Sequence, residues 1–238
     1  MLESTEWLTS RAGDESFSHL EKDGLSINSL CHTARQTLSQ IQDGTFSSQE
    51  IIPLVNKMIE LDKEAMAWRT TPQWSFKTVD RELILGNEGL AALLPPTIEL
   101  HRDIWMIYEW NYNRAARITL HDQLLACIEA LSADESVSAL LQTQHEASVA
   151  IVQSLANNVL APVPQSFGDI DSAGHLAIYH ELFGSQAIGG YFLLWPIKII
   201  KGEKSYSTPR QKAAAQAVFE RIRDCTGMKT YLGSLSII

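Results

Sequence analysis

Two arginines and a histidine interrupt an otherwise apolar helical stripe, and it is there that this chain could do chemistry. Ile107, Trp110, Arg114, Arg117, His121, Leu124 and Ile128 follow one another at three- and four-residue steps, which puts them on one face of a helix. A guanidinium removed from water needs hydrogen-bonding partners, because an uncompensated buried charge is costly. Two arrangements meet that need. In the first, the arginines form a buried polar seam with Glu82, Glu88, Glu99 or Glu109, or cap the carbonyl ends of neighbouring helices. In the second they line a pocket. Tyr108, Trp110 and Trp195 would wall an apolar ligand, while Arg114, Arg117 and His121 bind its carbonyl, phenolate or carboxylate oxygens. Placing reacting atoms and stabilising developing negative charge suffices for a cofactor-free cyclisation or isomerisation. Histidine exchanges protons near neutral pH, so His121 is the residue expected to move one.

Other chemistries find less support. His101-Arg102-Asp103, His121-Asp122 and His180-Glu181 each set an acid beside an imidazole. Adjacent helical residues point about 100° apart, so such a dipeptide does not chelate one ion, and no His-Glu-x-x-His pair is present. No metal is expected. Nor is there a Gly-x-Ser-x-Gly elbow, a phosphate-binding loop or a Gly-x-Gly-x-x-Gly turn, so no cofactor is expected either. The cysteines, Cys31, Cys127 and Cys225, stand about a hundred residues apart, which excludes a disulfide framework and a cysteine-rich zinc cluster. Cys127 reads as a buried thiol.

The stripe needs a long helix to carry it. Ile98 to Leu131 contains no Gly or Pro, and Pro95-Pro96 precedes it, so the periodicity predicts one helix over 98–131. Around it the chain reads as helices separated by short breakers. Residues 1–24 are expected to be irregular, with Trp7 and Phe17 as anchors. Helices are predicted over Leu25–Gln42, ended by Asp43-Gly44, and over Gln49–Trp68, which Ser47 or Ser48 would cap. Thr71-Pro72-Gln73-Trp74 breaks the latter, and 73–96 has no clear pattern. Further helices are predicted over 135–160, stopped by Pro162 and Pro164, over Ala173–Phe183, ended by Gly184, and from Thr208-Pro209 to Cys225. Gly189-Gly190 would let a helix start close to its neighbour, and Trp195-Pro196 would kink a buried one. A short helix is expected in the last residues. Strand alternation is nearly absent. The expected class is all-α: one domain over 1–238, an irregular antiparallel helical bundle or solenoid-like array around one long central helix.

Composition narrows the partners. The chain has 238 residues, is 45% apolar and 20% charged, and carries a net charge of −9. Phosphate contacts dominate non-specific nucleic-acid affinity, so 28 acidic against 19 basic side chains argue against direct DNA binding. Lys198, Lys201, Lys204, Arg210, Lys212, Arg221 and Arg223 read as solvated helix faces. The most apolar run, Ile188 to Ile200, falls short of the roughly 20 residues that span a bilayer. The acidic, polar start lacks the pattern of a signal peptide. An intracellular protein, nuclear or cytoplasmic, is the expectation.

Four segments in order resemble one family. Glu6-Trp7-Leu8, the LDKEAMAW segment ending at Trp68 and Thr71-Pro72-Gln73-Trp74 resemble its helix ending in Trp followed by Pro-x-Trp. WNYNRAARITLH, from Trp110 to His121, is similar to its W-x-x-Y-R-x-x-R-I-x-L-H signature, with Asn113 in place of tyrosine. GGYFLLWPIKII resembles its G-Y-x-L-L-W-P-L helix, and FERIRDCTGMKTYLGSL its closing segment, with Met228-Lys229-Thr230 replacing the usual Ile and Ala. The family is the fungal-specific transcription factor domain, the all-helical regulatory region that follows a six-cysteine, two-zinc DNA-binding cluster. The resemblance spans most of the chain and implies a fold more than an activity.

No such cysteine cluster occurs in this sequence. The expected function is therefore a non-DNA-binding regulatory or effector protein of secondary metabolism. It would act by sensing an apolar small molecule or by contact with a regulator protein. A homodimer is left open. The alternative is a cofactor-independent cyclase or isomerase of fungal specialised metabolism on the same helical fold, with His121 as its proton carrier.

Overall fold

A computed structural model describes residues 15–66, 72–132, 138–177 and 183–225. These residues are mostly helical. In chain order they form α1 (Glu15–Gln42), a 3-10 turn (Ser48–Ile51), α2 (Ile52–Glu64), a second 3-10 turn (Pro72–Trp74), β1 (Lys77–Asp80), α3 (Arg81–Leu85) and α4 (Gly89–Leu93). Then come β2 (Thr97–Leu100), α5 (Ile104–Ser132), α6 (Ser138–Leu160), α7 (Val163–Ser166), α8 (Phe183–Lys201) and α9 (Pro209–Cys225). No helix among them is long and apolar enough to cross a membrane.

The predicted helix over 98–131 is corrected at its start. Thr97–Leu100 is a strand, paired antiparallel with β1 in the register Lys77↔Leu100 to Asp80↔Thr97. Pro96 disfavours helical geometry just upstream, and β1 offers a partner from about twenty residues earlier. Helix α5 begins only after Asp103, whose Oδ1 accepts a hydrogen bond from Met106 N at 2.9 Å. The strand alternates its faces: Ile98 and Leu100 join the core, and Glu99 points the other way.

Two further expectations are corrected. Residues 15–24, expected to be irregular, belong to α1. Gly24 brings α1 against α5, since a Cβ there would lie 3.3 Å from the Tyr112 ring, and this packing outweighs weak local propensity. Trp7 and the Phe17 side chain lie outside the described residues, as do Trp68 and the predicted final helix. The helix predicted over Ala173–Phe183 is not formed over residues 173–177. Asp171 Oδ1 accepts from Ala173 N at 2.8 Å and His175 N at 2.9 Å, Gly174 takes φ +88°, and Ile170 bridges Leu176. A side chain that hydrogen-bonds its own following backbone favours a turn over a helix. Gly184 lies inside α8 and ends no helix.

Helix α5 is buried on two sides. Ile118 and Leu125 pack with Val152, Leu155 and Val159 of α6, Leu193 and Ile197 of α8, and Ala214 and Val218 of α9. Leu120, Leu124 and Ile128 pack with Ile27 and Leu30 of α1 and Val55 and Met58 of α2. Between Asn111 and His121 no residue of α5 is exposed, so polar side chains there have no water to face. Its arginines must therefore find partners inside.

Candidate functional site

Arg114 finds them in Glu99. Its Nη2 donates to Glu99 Oε1 at 3.0 Å and Oε2 at 2.8 Å, and Nη1 donates to Asn158 O at 2.7 Å and Asn111 Oδ1 at 3.2 Å. Asn158 is in the last turn of α6, so the guanidinium also caps that helix's carbonyl end. Trp110 lies along it, 5.0 Å from guanidinium carbon to ring centre. The side chain is 4% exposed. Burial pulls the guanidinium below its ordinary range, and Glu99 opposes that pull. His101 completes the cluster, its Nε2 lying 3.0 Å from Glu99 Oε2. A carboxylate only accepts, so the ring proton belongs on Nε2. Nδ1 then faces no partner among the described residues. Burial holds the His101 ring below its usual value, in keeping with a neutral imidazole.

Arg117 and His121, one and two turns further along α5, meet Asp62 at the end of α2. Arg117 Nε donates to Asp62 Oδ1 at 2.6 Å and Nη2 to Oδ2 at 3.0 Å, a two-pronged pair. His121 Nε2 is 3.3 Å from Asp62 Oδ2, close but without the alignment of a hydrogen bond. Burial alone would raise the Asp62 carboxyl, but His121 and Arg117 outweigh it and hold the group well below the carboxylate range. His121 is 2% exposed.

The six residues expected around one pocket thus fall into three groups. Trp110 and Arg114 stand with Glu99, and Arg117 and His121 with Asp62. Tyr108 and Trp195 belong to an aromatic face shared by α5 and α8. There Tyr108 packs on Phe192 at 4.6 Å, Tyr112 on Trp195 at 4.9 Å, and Trp105 on Phe192 at 5.0 Å. The sequence places Trp195 in a kinked core helix, yet α8 continues through Pro196 and leaves the indole 39% exposed. None of the six lines the cleft of 330 Å³ next to this face, which is bounded by Arg102, Ile104, Ile107, Ile170, Asp171 and Ile188 among others.

Asp62 and His101 are partners that the sequence pattern does not single out, whereas Glu99 is among the acids it offers. Asp62 follows Val55 and Met58 by seven and four positions, so it sits on the inward stripe of α2, and that spacing is the signal that could have found it. Asn113, the departure from the family signature, donates to Ala65 O at 3.4 Å just past α2. No group of three or more His, Cys, Asp or Glu that could hold a metal occurs among the described residues.

One acid stands apart. Burial pushes the Asp122 carboxyl up to about 6 from an ordinary 3.8, with Tyr206 N, 3.4 Å away, and Lys212 opposing. A carboxyl raised on folding contributes fully below its unfolded pKa. That contribution is lost as pH climbs through the folded value, so stability falls between about pH 4 and pH 6. Asp122→Asn is expected to add about 2 kcal/mol at pH 7 and to flatten this slope. Urea melts at pH 4, 5, 6 and 7 read both; an unchanged slope would place the titration elsewhere.

Comparison with family models, curated proteins and solved structures gives no match to this chain.

Proposed function

We propose that this chain is a non-DNA-binding regulatory protein that acts through protein contact. Its architecture on this reading is an irregular antiparallel bundle around one long central helix, like the regulatory region of the fungal transcription factors. The family resemblance rests on the four sequence segments alone. The observation that carries the contact reading is the exposed aromatic face of α5 and α8, with Tyr191 60% and Trp195 39% exposed. Contiguous exposed apolar surface, rich in Trp and Tyr, marks interaction sites in soluble proteins. Both arginines of the stripe are engaged by internal carboxylates, so neither is available to a ligand's oxygens. His121, the proton carrier of the enzymatic reading, lies buried against Asp62.

The test combines Tyr191→Ser with Trp195→Ser, at positions already partly in water. In the host, this variant is expected to reproduce the transcript loss caused by deleting the gene, at unchanged protein level. The purified wild type should show no salt-resistant shift of a mixed-sequence DNA duplex. Product loss on deletion with unchanged transcripts would favour the cyclase or isomerase instead, and normal transcripts in the face variant would remove the contact reading.

A further inference from the structure

Met66 lies one turn beyond Asp62, just past the end of α2, where its N–H donates to Lys63 O at 3.4 Å. Both side chains meet the guanidinium of Arg117 on α5. Asp62 takes Nε and Nη2, and the Met66 sulfur lies 2.8 Å from Nη1. Nη1 has no other hydrogen-bond partner among the described residues. A thioether is a weak acceptor, so one edge of this buried cation is poorly served.

Met66 is also open to solvent. It is 40% exposed, whereas Met58 and Met106 are buried. A methionine within reach of water is oxidised to its sulfoxide, and sulfoxide reductases reverse the step. The sulfur lone pair attacks one oxygen of hydrogen peroxide, and the O–O bond breaks. Sulfur gives up two electrons, and the leaving hydroxide takes the proton from the transferred oxygen to become water. The resulting S–O group is polar and chiral, and its oxygen accepts hydrogen bonds far better than the thioether. For that oxygen to reach Nη1 at about 2.9 Å, the sulfur must retreat by about an ångström. Three rotatable bonds at a partly exposed position allow the movement.

We propose that Met66 is a site of reversible oxidation by hydrogen peroxide, with its sulfoxide oxygen received by Arg117 Nη1. The Nε and Nη2 donors stay on Asp62, so oxidation adds a hydrogen bond between the end of α2 and α5 and keeps the ion pair. Oxidation of a core methionine does the reverse, because it sets a polar group among apolar ones. The added bond exists only in the folded chain, so the sulfoxide form is the more stable one. The site shares no residue with the α5–α8 face.

The test treats the full chain with hydrogen peroxide at a level where peptide mapping finds Met58 and Met106 unmodified. Met66 is expected to convert, with one sulfoxide epimer predominating because Arg117 receives the oxygen from one side. Only one of the two epimer-specific methionine sulfoxide reductases should then restore the thioether. The melting temperature of the oxidised chain should rise by about 2–4 °C, the scale of one net hydrogen bond in a chain of this size. Met66→Leu, a volume-conserving change at an exposed position, should fold normally and show no such rise under the same treatment. That comparison separates Met66 from every other methionine. An unmodified Met66 would overturn the proposal, as would a near-equal mixture of epimers. So would a melting temperature that oxidation lowers or leaves unchanged relative to treated Met66→Leu, the result for a methionine that is merely exposed.

Discussion

Replacing Arg114 with alanine is expected to cost about 3–5 kcal/mol of folding stability, the range found when one partner of a buried ion pair is removed. Single domains are stable by only about 5–15 kcal/mol, so the variant should be largely unfolded under mild denaturant. The cost lies less in the missing attraction than in the charge left behind. Without the guanidinium, Glu99 keeps, among the described residues, the His101 Nε2–H, 3.0 Å away, to compensate its charge inside the core. Asn158 O also goes without its 2.7 Å donor, so the end of α6 frays from α5. Two companion variants separate these effects. Arg114→Ala with Glu99→Leu should recover part of the loss, because no orphan charge remains. Arg117→Ala should cost less than Arg114→Ala, since His121 still stands 3.3 Å from the Asp62 carboxylate. Urea unfolding followed by circular dichroism compares these three variants with the wild type. A loss below 1 kcal/mol for Arg114→Ala would mean that water reaches Glu99.

Helical periodicity makes α5, α6, α9 and most of α1 legible, because each is long and its buried positions recur at helical spacing. The hairpin is not legible in this way. Ile98 and Glu99 continue the three- and four-residue pattern of α5 by coincidence of spacing, and nothing local reveals that Lys77–Asp80 pairs with them. A strand's partner is a long-range fact, whereas a helix's hydrogen bonds are local. The consequence reaches the site. Glu99 on a helix would be one acid among several, but on a strand it points away from Ile98 and Leu100 and straight at Arg114.

The same distinction explains why the candidate residues divide differently from the expected pocket. Burial of Arg114 and Arg117 follows from their positions between Ile107 and Ile128, and the requirement for carboxylate partners follows from burial. Which carboxylates those are depends on how α2 and β2 dock onto α5, and that is tertiary. Tyr108 and Trp195 stand apart from the two arginines for a related reason. Each residue lies about 100° from the next around a helix, so Tyr108 looks toward α8 while Trp110 looks toward Phe76. Gly189-Gly190 suggests a helix start, yet α8 begins at Phe183 and Gly189 falls inside it.

That glycine predicts the second large effect. A Cβ on Gly189 would stand 1.7 Å from Ser166 O and 3.1 Å from Ile104 Cδ1. In an exposed helix interior, Gly→Ala gains up to about 1 kcal/mol of helix propensity. Here the obstacle is a backbone oxygen of α7, and Ser166 N and Oγ are both tied back to Pro162 O, at 2.9 and 3.0 Å. Neither side can rotate away. Gly189→Ala must push α8 off α7 by more than about an ångström to reach ordinary van der Waals separation, loosening Leu193 and Ile197 in the core behind it. Overpacking of this kind costs about 1–3 kcal/mol where side chains can yield, and more where they cannot. We expect a net loss of about 3 kcal/mol or more, with the propensity gain submerged. Gly24→Ala is the control. Its new Cβ meets the Tyr112 ring first, at 3.3 Å, an aromatic side chain that can shift, so the change should fall within about 1 kcal/mol of wild type. Thermal melts of the two variants, run side by side, compare a backbone obstacle with a side-chain one. Equal melting temperatures would mean that α8 and α7 do not approach as closely in solution. The experiment also bears on the aromatic face, because displacing α8 moves Phe192 away from Trp105 and Tyr108.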